Sequence, residues 1–154
     1  MKVYVAGALS EPTGLAARTR FYERIASICQ DLSFEVYVPH LSKKKANLSD
    51  ASLTPRKIFD WDARHVKSSD VVIAYVGIAS LGVGMELGLA ACLNLPVITI
   101  CERGRKVSPM ILGHPCLVRH IEYDSEDECS IELGNALMTF CQSHPRYELH
   151  PAGI

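Results

Sequence analysis

Val71-Val72-Ile73-Ala74-Tyr75-Val76 is a continuous apolar run, followed by Gly77-Ile78-Ala79-Ser80-Leu81-Gly82-Val83-Gly84-Met85-Glu86-Leu87-Gly88. A run without polar alternation reads as a strand covered on both faces, as in a parallel sheet flanked by helices. The glycine-rich stretch after it opens a helix that lasts to about Leu93, so this is one strand-turn-helix unit. In such a unit the helix turns its free N–H groups toward whatever lies beyond the strand end.

The same alternation extends in both directions. Val3–Ala6 reads as a first strand, Leu15–Leu32 as a helix, and Phe34–Val38 as a second strand stopped by Pro39. His40–Pro55, with Lys43-Lys44-Lys45, reads as a polar surface loop. Thr54 and Pro55 suit the cap and first turn of a helix running to about Lys67. Beyond the central unit, Pro96–Cys101 and Leu117–Tyr123 read as strands and Glu126–Cys141 as the last helix. The expectation is an α/β fold: a single domain over residues 1–143 with an irregular tail at 144–154. Its sheet is doubly wound, parallel and five-stranded, in the flavodoxin-like (Rossmann-like) order 2-1-3-4-5. Ligands in such sheets bind beyond the carboxyl ends of the strands where the winding reverses. Here that is between the first and third strands, so the loops after Ala6 and after Val76 should line the site.

The chain has 154 residues, 48% hydrophobic and 21% charged, with 16 Lys and Arg against 17 Asp and Glu. Hydrophobicity at that level excludes a disordered chain, and a net charge of −1 gives no electrostatic reason to expect nucleic-acid binding. No apolar run approaches the ~20 residues of a membrane span, and the N-terminus reads as a strand, not a secretory signal. The six cysteines, at 29, 92, 101, 116, 129 and 141, form no C-x-x-C pair. They read as free thiols, Cys92 and Cys101 as small buried hydrophobes, in a reducing, cytoplasmic setting. Neither a metal nor an organic cofactor is expected.

Gly82 and Gly84 let the backbone approach a ligand closely, and a phosphate would suit the helix start; taken alone, they are better accounted for by a simple tight turn. Glu86 is the single charge of an otherwise apolar helix, which suits either a capping partner or a nucleophile. In Phe59-Asp60-Trp61-Asp62-Ala63-Arg64 the two acids are two positions apart and cannot share a helix face. One should look inward and one out, while Asp70 reads as a structural or turn residue. A pair of carboxylates, one attacking and one protonating a leaving group, is the equipment of glycosidic cleavage. No G-x-x-x-x-G-K-[ST], G-x-S-x-G or H-E-x-x-H occurs. His65 and His114 are within reach of the site but read as surface or core-satisfied residues, and Arg103, Arg105 and Lys106 as a solvated loop.

These residues resemble the nucleoside 2-deoxyribosyltransferase-like superfamily, and within it the hydrolytic branch acting on 2′-deoxynucleoside 5′-monophosphates. The resemblance runs from Lys2 to about Gly113. Its specific part is Asp62 to Asn94, containing Ser69-Asp70-Val71-Val72-Ile73-Ala74 and Ser80-Leu81-Gly82-Val83-Gly84-Met85-Glu86-Leu87-Gly88, with Asp62 and Glu86 separated by 24 positions. The resemblance implies Glu86 as the nucleophile on the anomeric carbon and Asp62 as the acid that helps the base depart. It implies Tyr4 under a 2′-deoxyribose and Gly7 beside it. Ser80 and Gly82, with Gly84 in the same turn, match the substrate and 5′-phosphate loop. Ser108, in Val107-Ser108-Pro109-Met110, matches a serine given to the neighbouring subunit's phosphate site, which implies a homodimer with shared sites. In the transferases the position of Ser80 is usually Asp, which repels phosphate; a neutral Ser admits it. The branch's G-S-x-R stretch is here Gly7-Ala8-Leu9-Ser10, without the guanidinium; Arg18, Arg20 or Arg105 are candidate substitutes. The expected activity is hydrolysis of deoxynucleoside monophosphates, with base exchange, ribonucleotide cleavage and non-catalytic nucleotide sensing as alternatives.

Overall fold

The structure, a computed structural model, describes residues 1–41 and 54–144. The loop expected between His40 and Pro55 lies largely outside those residues, as does the tail expected at 144–154. The elements are β1 (Lys2–Ala6), α1 (Leu15–Asp31), β2 (Glu35–Tyr37), α2 (Pro55–Lys67), β3 (Val71–Tyr75), α3 (Leu81–Cys92), β4 (Val97–Glu102), α4 (Pro109–Leu112), β5 (Leu117–Tyr123) and α5 (Glu126–Ser143). The five strands are parallel and ordered β2-β1-β3-β4-β5, as the alternation of patterns anticipates.

Strand side chains alternate between two cores. Val3, Val5, Ile73, Ile98, Ile100 and Ile121 face α1 and α5, meeting Tyr22, Ile25, Leu133 and Leu137. Tyr4, Ala6, Val72 and Ala74 face the other way, against Val66 of α2 and Val83, Leu87 and Ala90 of α3. Every residue of β3 is buried, which is why its sequence shows no polar alternation.

Local chemistry sets the helix starts. The Thr54 hydroxyl accepts from the Lys57 N–H at 3.3 Å, with Pro55 as the first helical residue. Ser80 Oγ accepts from the Val83 N–H at 3.4 Å, and Ser125 Oγ from the Glu128 N–H at 3.2 Å. Each cap satisfies a donor that has no partner inside the helix. Gly7 follows β1, where a Cβ would stand 2.3 Å from the Tyr22 ring. Asp70 accepts from the Lys2 N–H at 2.7 Å, a structural contact that ties the entry of β3 to the start of β1.

Three expectations change. Cys101 is buried, but Cys92 is exposed, because it closes the last turn of α3 on the side away from the sheet core. The second strand is shorter than Phe34–Val38, pairing with β1 only over Glu35–Tyr37. The loop after β4 contains the one-turn helix α4, started by Pro109. No helix among the described residues is long and apolar enough to cross a membrane.

Candidate active site

Alternation along β1 aims Tyr4 at α3. There its hydroxyl donates to Glu86 Oε1 at 2.5 Å, and the Tyr4 side chain has no solvent exposure. β2 pairs with β1 so that Tyr37 is the cross-strand partner of Tyr4. The two rings stack, centroids 5.3 Å apart and planes 21° from parallel. The Tyr37 hydroxyl in turn donates to Asp62 Oδ1 of α2 at 3.0 Å. Two carboxylates from different helices are thus held at the ends of one stacked tyrosine pair. O–H donation to an ionised acceptor, the form in which Glu86 would act as a nucleophile, is among the stronger protein hydrogen bonds.

The stack continues outward. The His65 ring lies 3.7 Å from that of Tyr37 and 5.7 Å from that of Trp61, with His65 Nδ1 2.7 Å from the Trp61 carbonyl one turn back. Burial pushes both phenols far above their ordinary range. For Tyr4 the Glu86 charge and then the Asp62 charge add to this, and for Tyr37 the Asp62 charge follows. Both hydroxyls are therefore fixed as protons donated to the carboxylates.

Asp62 and Glu86 line one cleft of about 320 Å³ with Gly82, and Ile58, Phe59, Met85 and Leu89 form its apolar walls. Asp60, on another face of α2, forms an ion pair with Arg56 at 2.8 Å, so the inward and outward acids are now distinguished.

A second cleft of about 420 Å³ lies at the start of α3, where Ser80, Gly84, Lys106 and Ser108 meet across Val76, Ile78 and Met110. The first turns of α3 therefore present Gly82 to the carboxylate cleft and Gly84 to its neighbour. Gly7 lines neither cleft; its missing side chain makes room for Tyr22, whose hydroxyl donates to the Ala8 carbonyl at 3.4 Å.

The arginines considered as substitutes for the guanidinium missing at Ser10 have other occupations. Arg18 donates to the carbonyls of Ala8, Glu11 and Thr13, tying down the loop after β1. Arg105 lies 3.4 Å from Glu102, whose carboxylate also accepts from the Tyr75 hydroxyl. Arg20 is exposed on α1. Among the described residues, the cation that lines the Ser80 cleft is Lys106, read from the sequence as part of a solvated loop. His114 is satisfied, with Nε2 2.9 Å from the Leu87 carbonyl and Nδ1 accepting from the Cys116 N–H at 3.1 Å. Tyr37 was not singled out in the sequence; the only signal available was its place in a strand predicted to neighbour the first.

Comparison with known proteins places the chain among relatives of the same fold. A protein of Thermofilum pendens, whose name provisionally assigns it as 2′-deoxynucleoside 5′-phosphate N-hydrolase 1, is 29% identical over 140 residues, 89% of this chain and 95% of that one. The 5-hydroxymethyl-dUMP N-hydrolase of Tetraodon nigroviridis is 32% identical over 117 residues, 73% of this chain and 80% of that one. Among solved structures, the CMP N-glycosidase BcmB of Clostridium botulinum superposes with a TM-score of 0.61 at 22% identity, covering 86% of this chain and 97% of that one. The family profile for nucleoside 2-deoxyribosyltransferase matches residues 3–138, and with the sheet order and the paired carboxylates already seen, the chain belongs to that family.

Proposed function

We propose that the protein is an N-glycosidase that hydrolyses 2′-deoxynucleoside 5′-monophosphates to the free base and 2-deoxyribose 5-phosphate. The observation that carries this reading is the pair of carboxylates, Glu86 and Asp62, lining one cleft and held by the Tyr4–Tyr37 stack. Glu86 attacks the anomeric carbon as the N-glycosidic bond breaks, and the base leaves with a proton delivered from Asp62. Water, giving one proton to Asp62, then opens the glycosyl-enzyme ester; its hydroxyl goes to the sugar, Glu86 returns as a carboxylate and Asp62 is protonated again. Two carboxylates and water balance this sequence, so no cofactor takes part. Tyr4 fixes the nucleophile and Tyr37 positions the acid. Ile58, Phe59, Met85 and Leu89 offer the base an apolar wall. The names of the relatives from Thermofilum pendens and Tetraodon nigroviridis, both N-hydrolases of deoxynucleotides, support the same reaction class.

The 5′-phosphate goes to the Ser80 cleft, where the start of α3, Ser108 and Lys106 meet. Lys106 supplies there the positive charge that Ser10 lacks. Leu81, Met85 and Met110 are exposed by 92%, 57% and 86%, an apolar patch at this rim that suits burial against a second copy. The proposed assembly is a homodimer in which Ser108 also serves the neighbouring site.

The loss of the guanidinium at Ser10 favours a second reading, deoxyribosyl transfer between bases. One experiment separates the two. The protein is incubated with each deoxynucleotide and deoxynucleoside, with and without a second free base, and the products are resolved by chromatography. Free base with deoxyribose 5-phosphate from monophosphates, lost in Glu86→Gln, is the expected outcome. Exchange of bases on unphosphorylated nucleosides gives the function to the transferase reading.

A further inference from the structure

β4 and β5 pair in a register that sets Thr99 opposite His120 and Cys101 opposite Glu122. All four side chains leave the same face of the sheet, since residues two apart on a strand share a face. One donor atom from each of Cys101, His120 and Glu122 lies within 4.8 Å of the others. His120 Nε2 is 3.9 Å from Cys101 Sγ, while His120 Nδ1 is 2.8 Å from Thr99 Oγ1. Thr99 and Cys101 have no solvent exposure. Among the described residues the Glu122 carboxylate has no ion pair and no hydrogen bond. None of the three lines the cleft that holds Glu86 and Asp62.

We propose that Cys101, His120 and Glu122 bind a single zinc ion that ties the edge strand β5 to β4. The donor set is a thiolate, an imidazole and a carboxylate, the combination that zinc accepts with tetrahedral geometry. Thr99 fixes the imidazole: with its hydroxyl oxygen accepting from Nδ1–H, the Nε2 lone pair is left toward Cys101. A ligating histidine is ordinarily held in this way through its other ring nitrogen. Tetrahedral zinc at ordinary bond lengths requires S and N roughly 3.5 Å apart, against 3.9 Å here. Side-chain adjustment of a few tenths of an ångström closes the site. On binding, the Cys101 thiol gives its proton to solvent and the thiolate takes the ion. Three protein ligands leave the fourth position to water. The site is independent of the glycosidic reaction, so its test does not depend on the proposed function.

The competing account is a thiol–imidazole hydrogen bond with no metal. Reduced, metal-free protein titrated with Co(II) separates the two. The expected result is one equivalent bound, with a near-ultraviolet thiolate-to-cobalt band and tetrahedral visible bands, both displaced by Zn(II). The band is lost in Cys101→Ser and kept in Cys92→Ser, which removes the exposed cysteine. Glu122→Gln, on the edge strand, weakens binding at least tenfold and reports on the site even where Cys101→Ser fails to fold. Thr99→Val keeps the shape and removes the acceptor, and weakens affinity roughly 10- to 100-fold. Absence of a thiolate band at one equivalent, its survival in Cys101→Ser, or unchanged affinity in Glu122→Gln overturns the site.

Discussion

Replacing Tyr4 by Phe removes one oxygen and leaves the ring stacked on Tyr37. That oxygen stands 2.5 Å from Glu86 Oε1, on a side chain with no solvent exposure, so water cannot take its place without disturbing the core. A hydrogen bond to a charged group contributes roughly 1.5–3 kcal/mol. In a domain of this size each kcal/mol moves Tm by about 2–4 °C, so the variant should melt roughly 3–12 °C lower. The catalytic loss should be larger. Without the phenol the Glu86 carboxylate is free to leave its rotamer, and a misplacement on the order of 1 Å costs about 100-fold. The loss should fall on kcat, with KM within a few-fold, because the hydroxyl orients the nucleophile and is not placed to hold the ligand. A double-mutant cycle isolates the contact: in a Glu86→Gln background the acceptor is neutral, and Tyr4→Phe should then cost only about 0.5–1.5 kcal/mol. Thermal unfolding and chromatographic assay of base release measure both quantities. A Tyr4→Phe protein with unchanged Tm and unchanged kcat would refute the claim that this hydroxyl holds Glu86.

Ser80→Asp and Lys106→Ala should each raise KM for monophosphates, Lys106→Ala by roughly tenfold as for loss of one exposed charge-assisted contact. KM for the corresponding nucleosides should hardly move, and equal effects on both substrates would place the phosphate elsewhere. Leu81→Asp and Met110→Asp put a charge on the exposed apolar patch and should yield monomers by sedimentation, with loss of cleavage; a wild-type protein that sediments as a monomer removes the shared-site assembly. Stability should fall at alkaline pH, because burial pushes Tyr22 up to about 12 from 10.0, and Tyr4, Tyr37, Tyr75 and Tyr123 in the same direction. A phenol held protonated in the folded state binds a proton that the unfolded chain has released above pH 10.0, so stability is intact below that pH and declines as pH rises through the folded values. Denaturant midpoints followed across that range measure the decline, which should be shallower in Tyr22→Phe; a midpoint that stays level contradicts it.

The alternation of strands and helices could be read from the chain because each element left a local mark. The unbroken apolar run of β3 follows from burial on both faces, and Thr54-Pro55 and Ser80 mark helix starts through short-range capping. Asp60 and Asp62, two apart on a helix, had to diverge; which one turned inward needed the position of Tyr37. Cys92 was misjudged because an apolar helix does not by its composition declare which side meets the sheet, and α3 exposes Leu81, Met85 and Cys92 while burying Val83, Leu87 and Ala90.

By itself, then, the sequence determined what depends on periodicity and on neighbours a few positions away: a parallel α/β sheet and its capped helices, with the choice of Asp62 beside Glu86 resting on the family resemblance. Only the tertiary structure decided how those pieces meet. The β1–β2 register stacks Tyr37 on Tyr4 and so bridges the two acids. The fold of the loop after β1 consumes Arg18 on backbone carbonyls, while the loop after β4 brings Lys106 to the cleft at Ser80. The β4–β5 register likewise gathers Cys101, His120 and Glu122 from two strands. The physical reason is one of range: a side chain's period and cap are set by its own segment, but its partner is set by register and packing between segments far apart in the chain, which no local pattern encodes.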